Sequence, residues 1–317
     1  MAEHAMYFTD DKARRIYLTK KIISRVFVYL FLSIFALFLI APFIMMIAGS
    51  FISADSFHKF TLNGDFSYLG FGTNELGEAN WSFANYKQIL SMNNANYNFP
   101  VYFLNTFIVA IISTTVTVVT SVLAGFAFAR LEFKGKEALF AILLATMMIP
   151  GEMMVITNVI TVDLLGWYNT FAALTLVHGV SVFYVFYLRQ TFQQIPNELY
   201  LAAKVDGVSD LGYLWKVMVP IAMPTITTII ILSMMGAWNS YVWPNLVTDN
   251  TGWALNGNHS MKLVSNGLRD AFNANGLETG EAIKIAGSMV ISTPLFIVFI
   301  LFRKYIMRGV SRSGIKG

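Results

Sequence analysis

Apolar residues are gathered into six long runs along the chain, and polar or charged segments separate these runs. Each run is roughly 18 to 24 residues long, which as a helix is enough to cross a hydrocarbon core of about 30 Å. The pattern therefore predicts an all-α, polytopic membrane protein with six transmembrane helices. The predicted spans are Val26–Ala48, Asn105–Phe128, Ala138–Ile160, Tyr168–Tyr187, Val217–Met235 and Ile285–Phe302.

The composition is that of a membrane-embedded chain. Of its 317 residues, 56% are hydrophobic and 13% are charged, whereas soluble domains carry about 25% charged residues. The first run exceeds the apolar core of a signal peptide, about 7 to 15 residues, and no small-residue cleavage site follows it, so it is predicted to be a retained span. The chain has no cysteine, which excludes a disulfide scaffold, a cysteine–zinc or iron–sulfur site and a thiol nucleophile.

Lysine and arginine are distributed unevenly between the predicted spans. Seventeen of the 22 lie before the first span, in the Arg130–Glu137 turn, in the Arg189–Lys216 loop or after the last span. The positive-inside rule therefore predicts that both termini are cytoplasmic, and an even number of spans agrees. The predicted organisation is a cytoplasmic N-terminal segment (1–25), a transmembrane domain (26–302) with outer loops at about 49–104 and 237–281 and an inner loop at about 188–216, and a cytoplasmic tail (303–317).

Motifs for enzymatic chemistry are missing from the sequence. It has no G-x-x-x-x-G-K-[ST] phosphate loop, and its four histidines are scattered without metal-ligand spacing. No catalytic residue, metal site or cofactor is therefore predicted for this chain. The net charge of +4 is interpreted as topology and attraction to membrane lipid. Nucleic-acid binding is not predicted, because no basic stripe is interleaved with stacking aromatic residues.

Two ionisable residues interrupt the apolar runs in an informative way. Glu152 follows Pro150 and Gly151, a pair that weakens a helix, so a kink beside a carboxylate is predicted. Glu152 is interpreted either as a path-lining acid at the break or as a carboxylate bonded to backbone donors that the kink frees. His178 has two interpretations as well, hydrogen bonding between helices or contact with substrate.

The predicted cytoplasmic loop contains an unusual string, IPNELYLAAKVDGVSDLGYLWKVMVPIAMP, at residues 195–224. Asn197 is predicted to cap a helix of about ten residues, in which Glu198 suits the positive end and after which Gly207 ends the helix. Small and apolar side chains cover much of this helix, which is too short to bury them itself. We expect them either to dock on another protein or to fold back onto the base of the bundle. These side chains belong to Leu199, Leu201, Ala202, Ala203 and Val205.

This string resembles the EAA loop of ATP-binding-cassette importer permeases, whose pattern is roughly I-P-x-E-L-x-E-A-A-x-[IV]-D-G-[AV]-S followed by two prolines. Leu201 replaces the acid that names the motif, so docking here is expected to depend on apolar burial. Further strings in the same order, from APFIMMIAGSF and LAGFAFARLEFKG to GAWNSYVWP and RGVSRSGIKG, are similar to the maltose-type, carbohydrate-uptake branch of that family. The matching motif residues are Ile195, Pro196, Glu198, Leu199, Ala202, Ala203, Val205, Asp206, Gly207, Val208, Ser209, Pro220 and Pro224.

The resemblance implies a type I importer permease in a bacterial or archaeal cytoplasmic membrane, working by alternating access. ATP and magnesium would be bound by partner ATPase subunits, a second permease subunit would pair with this chain, and an extracellular or periplasmic solute-binding protein would deliver an oligosaccharide. Residues expected to dock in a groove of the ATPase are Glu198, Leu201, Ala202, Ala203, Asp206 and Gly207.

An oligosaccharide cargo suggests a role for the string WNSYVWP at residues 238–244. Aromatic faces stack on the C–H surfaces of sugars and amides bond to hydroxyls, so Trp243 and Ser240 suit this cargo chemically together with Trp238, Asn239 and Tyr241. The last three are predicted to lie on the outer part of the substrate path, with Glu152 facing the interior. The alternative for this string is an interfacial aromatic belt with a helix stop at Pro244.

Two other functions compete with the importer. An ion-coupled secondary transporter of a small polar solute predicts intramembrane acids in matched half-repeats, and a lipid-modifying enzyme predicts a clustered set of acids, histidines or metal ligands. The sequence contains neither pattern.

Overall fold

A computed structural model describes residues 11–53, 56–57, 64, 81–91, 98–249, 260–274 and 281–311, and these form helices joined by loops. A 3₁₀ turn, Gly151–Met154, lies between the fourth and fifth helices, and a π-helical turn, Leu214–Met218, joins the ninth to the tenth. The helices are α1 (Asp11–Phe51), α2 (Ala84–Leu90), α3 (Phe99–Arg130), α4 (Lys136–Thr146), α5 (Val155–Leu164), α6 (Phe171–Thr175), α7 (Val182–Gln193), α8 (Asn197–Val205), α9 (Asp210–Tyr213), α10 (Val219–Trp238), α11 (Val242–Val247), α12 (Val264–Ala274) and α13 (Glu281–Ser311). Parts of both predicted outer loops, and residues 1–10 and 312–317 of the predicted cytoplasmic ends, lie outside the described residues.

Four helical stretches within the described part are long and apolar enough to cross a membrane. A fifth arises if α4 and the Gly151–Leu164 stretch count as one span, and these two parts are bent by 85°. The bend confirms the predicted kink, because Pro150 stands between them with an extended ψ of 127°. The four straight stretches are Tyr17–Phe51, Phe99–Arg130, Asp210–Trp238 and Glu281–Arg303.

The fourth predicted span, Tyr168–Tyr187, is not one helix, so the predicted count of six continuous spans is not reproduced in the described residues. Helix α6 ends at Thr175 and α7 begins at Val182. The Ser181 side chain accepts a hydrogen bond from the Tyr184 N–H and starts α7, while Thr120 of α3 donates to the Gly179 carbonyl at 3.0 Å. A hydrophobic run hides such a break, because capping and backbone contacts, not hydropathy, decide where a helix ends.

The chain divides into two compact units, residues 1–86 with 280–289 and residues 87–279 with 290–317. In the first unit, polar contacts fasten α2 to the end of α1. The Asn85 amide donates to the Ser50 carbonyl at 3.0 Å and to the Ile52 carbonyl at 2.8 Å, and the Tyr86 hydroxyl donates to the Ser50 hydroxyl at 2.7 Å. Phe51 stacks on Trp81 beside them, with ring centroids 4.7 Å apart.

Helix α3 is the centre of the second unit and packs mainly against α7 and α10. One buried cluster lies around the C-terminal half of α3 and includes Phe126, Leu188, Phe192, Leu214 and Met218. A second cluster lies around its N-terminal half and includes Val109, Val162, Trp243 and Leu263. The two halves of α3 therefore pack in different clusters, and one of the two candidate sites described below lies beside each cluster.

Candidate functional site

Helix α8 lies where the sequence predicts a short cytoplasmic helix, but it begins one residue earlier than predicted. Its N-cap is Pro196, which has an extended ψ of 137°, and Asn197 is already the first helical residue. The helix ends at Val205, and Gly207, which the sequence predicts to end it, follows the C-cap with a φ of +74°, a left-handed conformation that favours glycine. The Val208 N–H then donates to the Ala203 carbonyl at 2.9 Å, and Ser209 caps α9 by accepting from the Gly212 N–H.

The inner face of α8 rests on the chain's own core. Tyr200 and Ala203 are partly buried and pack against the cluster around α3, α7 and α10. The Tyr200 ring lies 5.1 Å from the Tyr213 ring. Ala203 therefore does not lie on the free surface, because α8 turns it towards the bundle. The sequence left open whether this segment folds back or docks outward, and this face folds back.

The opposite face of α8 is exposed and mostly apolar. Leu201 is 56% exposed and Val205 is 88% exposed, and Glu198 and Ala202 are exposed with them. These four residues recur at i, i+3, i+4 and i+7, so they form one continuous stripe along the helix. We call this set the α8 stripe. Among the described residues nothing buries the stripe, since all four of its side chains are exposed.

A polar contact ties α8 to α9. The Tyr200 hydroxyl donates to the Asp210 carboxylate at 2.7 Å, and the Lys204 ammonium lies 2.7 Å from the same oxygen. The hydrogen bond to Asp210 raises the pKa of Lys204. Burial, followed by the hydrogen bond to Asp210, raises the pKa of Tyr200. Lys204 is therefore cationic and Tyr200 neutral near pH 7, and both donate to one carboxylate.

Arg130 holds the chain just before α8 and was not recognised from the sequence as a site residue. Its Nη1 donates to the Asn197 amide oxygen at 3.2 Å, and its Nη2 donates to the Phe192 carbonyl at 2.9 Å and also to the Ile195 carbonyl. In the sequence Arg130 counted only as one of the cytoplasmic basic residues. Its place at the C-terminus of a long span gave no signal for this role, because its acceptors lie on α7, on the link after it and on α8.

A cavity of about 350 Å³ opens in the second unit between α3, α7 and α10. Its lining is unusually rich in hydroxyl groups for an apolar bundle. Trp243 and His178 also line it, with rings in an edge-to-face arrangement 5.0 Å apart, and the Trp243 indole donates to the Ala173 carbonyl at 2.9 Å. The hydroxyl groups belong to Ser113, Thr117, Ser181, Tyr184, Ser233 and Ser240.

The four residues predicted on the substrate path do not line this cavity. Trp238 is only 3% exposed, with its indole donating to the Ile291 carbonyl at 3.0 Å and its ring against Phe103. Tyr241 contacts Arg269, and Asn239 is exposed. Glu152 is exposed on a 3₁₀ turn that has no buried residue. Two other residues of the same string, Ser240 and Trp243, line the cavity instead, and His178 lines it as well.

The sequence of this chain is similar to a family model and to known transport proteins. The family model described as "Binding-protein-dependent transport system inner membrane component" matches residues 121–313. The chain is similar to the arabinooligosaccharides transport system permease protein AraQ of Halalkalibacterium halodurans, with 30% identity over 68% of this chain and 74% of that protein. It is also similar to the trehalose/maltose transport system permease protein MalG of Thermococcus litoralis, with 28% identity over 94% and 99% of the two chains.

One solved structure has the same fold over nearly its whole length. It is a crystal structure of a bacterial ABC transporter involved in the import of the acidic polysaccharide alginate. The TM-score is 0.65 at 20% identity, covering 94% of this chain and 99% of that one.

Proposed function

The chain belongs to the family of binding-protein-dependent transport system inner membrane components, and from this premise we propose that it is a permease subunit of an ATP-driven importer of oligosaccharides. The observation that carries the proposal is the α8 stripe, a continuous and mostly apolar surface on a short helix whose other face packs against the bundle. Relatives transport arabinooligosaccharides or trehalose and maltose, according to their names. A carbohydrate of that size is therefore the proposed cargo.

The α8 stripe is the proposed docking surface for an ATPase subunit. ATP and magnesium belong to that partner, and this chain contributes the helix that enters the partner's groove. Full burial of a leucine side chain contributes about 1.5 to 3 kcal/mol, so Leu201 can replace by apolar contact what an acid at this position provides elsewhere. Glu198, Ala202 and Val205 complete the surface, while Asp206 and Gly207 form its C-terminal edge.

Substrate is proposed to pass the hydroxyl-lined cavity as the bundle alternates between outward and inward states. The cavity volume of about 350 Å³ falls in the usual range for ligand sites, about 300 to 1,000 Å³. Hydroxyls such as those of Ser113, Thr117 and Ser233 can exchange hydrogen bonds with sugar hydroxyls, and Trp243 offers an aromatic surface. Asn239 and Tyr241 remain candidates for the outer approach to this cavity.

The proposed orientation places α8 and both chain ends in the cytoplasm of a bacterial or archaeal cell. A cysteine-free chain makes this easy to test with single cysteines at two exposed positions, Lys134 in the turn after α3 and Asn245 in α11. An impermeant maleimide applied to intact cells should label the cysteine at Asn245 and spare the one at Lys134. The reverse pattern would overturn the orientation.

Purification of the native complex through this chain in mild detergent tests the function as a whole. We expect ATPase subunits and a second permease to co-purify, and we expect the ATPase activity to rise when a solute-binding protein loaded with maltose, trehalose or an arabino-oligosaccharide is added. A chain that purifies alone and supports uptake in proteoliposomes driven only by an ion gradient would establish the secondary transporter instead.

A further inference from the structure

The C-terminal end of α3 meets α7 at unusually short range. Gly125 of α3 stands where a Cβ atom would lie 2.9 Å from the Leu188 Cβ and 3.3 Å from the Arg189 backbone nitrogen. Such distances leave no space for a side chain, so the two helices are nearly in backbone contact. Any relative sliding of α3 and α7 at this point would have to break this packing.

Arg130 extends the contact from α3 to the far end of α7. Its Nη2 donates to the Phe192 carbonyl, which lies in the last turn of α7 and also accepts from the Ile195 N–H, and to the Ile195 carbonyl beyond that turn. Its Nη1 reaches the Asn197 side chain in the first turn of α8. One guanidinium therefore joins three segments, and it spans the short link that separates α7 from α8.

Arg189 makes the reciprocal contact from α7 to α3 and α4. Its Nε donates to the Phe128 carbonyl at 3.2 Å, and its Nη2 lies 3.0 Å from each oxygen of Glu137. The guanidinium carbon also lies 4.1 Å from the centre of the Phe140 ring. The Arg189 side chain is 11% exposed and that of Glu137 is 72% exposed, so the guanidinium is shielded from water while the carboxylate faces it.

We infer that Arg130 and Arg189 form a reciprocal clamp that makes α3, α7 and α8 one rigid body at the base of the bundle. Helix α8 packs on the bundle only through side chains that are partly buried, those of Tyr200 and Ala203, and the Arg130 contacts fasten its N-terminal end in addition. Without the clamp, a force applied to α8 would be absorbed by bending in the link between α7 and α8. With the clamp in place, the same force on α8 moves α3 as well.

Helix α3 also carries Ser113 and Thr117 of the cavity. Arg130 and Thr117 are 13 positions apart, a distance of about 20 Å along a helix at 1.5 Å per residue. The clamp therefore connects the α8 stripe to the cavity through a single continuous helix. Both arginines act as positioning residues, and the inference rests on the proposed docking of α8 to an ATPase.

The rigid body is tested by spin labels on cysteines introduced at Leu199 of α8 and Leu123 of α3, both exposed positions outside the α8 stripe. In the wild-type complex we expect a narrow distance distribution that is the same without nucleotide and after trapping with ATP and vanadate. In Arg130→Gln we expect a broader distribution that differs between the two states. Lys134→Gln is the matched control, because it removes one charge from an exposed residue in the turn that follows α3, and it should behave as wild type.

The transmission to the cavity is tested by the rate at which a maleimide labels a cysteine at Ser113. Between the nucleotide-free and vanadate-trapped states, the wild-type rate should change by at least about fivefold, the lower end for coupled sites, and Arg130→Gln should lose this dependence. Glu137→Gln, at a surface position, should lose part of it, and it provides a second variant if Arg130→Gln fails to insert.

A narrow, state-independent distance and a wild-type labelling response in Arg130→Gln would overturn the clamp. If no ATPase subunit associates with the wild-type chain, the proposed function fails instead. The label distances in the purified chain still decide whether Arg130 fixes α8 to α3.

Discussion

The α8 stripe and the cavity are built from opposite kinds of side chain. The stripe is mostly apolar and lies on a short helix that the sequence predicts to be cytoplasmic, whereas the cavity is rich in hydroxyls and lies inside an apolar bundle. Each surface is therefore unlike its surroundings, and each has a different proposed partner, a protein groove for the stripe and a carbohydrate for the cavity. Substitutions in the two regions should accordingly have separable effects, on subunit association for the stripe and on substrate handling for the cavity.

A charge in the α8 stripe should have the largest effect. Leu201→Glu loses the burial of a leucine, about 1.5 to 3 kcal/mol, which alone weakens association with the ATPase by about 10- to 100-fold. Pull-down of the ATPase by the detergent-solubilised permease measures this. Leu199→Glu is the matched control, since Leu199 lies on the same helix outside the stripe, and it should bind nearly as wild type. Equal binding by Leu201→Glu and wild type would remove the stripe from the interface.

Ala202 and Ala203 are adjacent, but Ala202 lies on the outer face of α8 and Ala203 on its inner face. Ala202→Trp puts a large ring on the stripe and should weaken ATPase binding, since overpacking a contact costs about 1 to 3 kcal/mol. Ala203→Trp puts the same ring against the chain's own core and should instead lower the thermal midpoint and yield of the permease. Thermal unfolding and pull-down of both variants give the answer. If Ala203→Trp alone lost the ATPase while remaining stable, the assignment of the two faces would be reversed.

The sequence predicted α8 well because its signal is local. Helix start and stop residues, small side chains and a family motif all fall within 15 consecutive positions, Ile195 to Ser209. The direction in which α8 faces was not predictable from these positions. It depends on Tyr200 and Ala203 meeting a core that comes from α3, α7 and α10, which are distant in sequence, so Ala203 was wrongly expected on the free surface.

The cavity was predicted less well because it has no contiguous motif. The sequence drew attention to Trp238, Asn239 and Tyr241, yet Trp238 is buried against Phe103 and bonds to a backbone carbonyl. The cavity hydroxyls are single serines and threonines spread over several helices, and in a sequence they look like ordinary helix residues. Arg130 was missed for the same reason, because its acceptors are backbone carbonyls more than 60 positions away.

Removal of one cavity hydroxyl should have an intermediate effect. Thr117→Val keeps the shape of the side chain and deletes one hydrogen-bonding group, which contributes about 0.5 to 1.5 kcal/mol, so KM for uptake should rise about 2- to 10-fold. Association with the ATPase should not change. Thr115→Val, on the exposed side of the same helix where the hydroxyl bonds to the Ile111 carbonyl, is the control. Identical KM values in the two variants would exclude Thr117 from substrate contact.

Loss of the Lys204 contact should have the smallest effect. Lys204 and Asp210 are about half exposed, with 47% and 38% of their side chains accessible, and exposed ion pairs contribute little. Because contact with Asp210 raises the pKa of Lys204, its contribution is fully present below the ordinary pKa of lysine and is lost only as pH rises through the raised pKa. Thermal midpoints of wild type and Lys204→Gln should therefore differ slightly and by the same amount from pH 6 to 9. A difference that vanished within this range would contradict the contact.

Photocrosslinking from Val205 tests the docking of α8 most directly. Val205 is 88% exposed at the end of the stripe, and a single cysteine there can carry a benzophenone maleimide in an otherwise cysteine-free chain. In the native membrane we expect irradiation to produce one major adduct, with the ATPase subunit, and we expect a label at Lys134 to give none. Absence of an ATPase adduct from Val205, in membranes where the ATPase is present and active, would contradict the proposed docking of α8 on the ATPase.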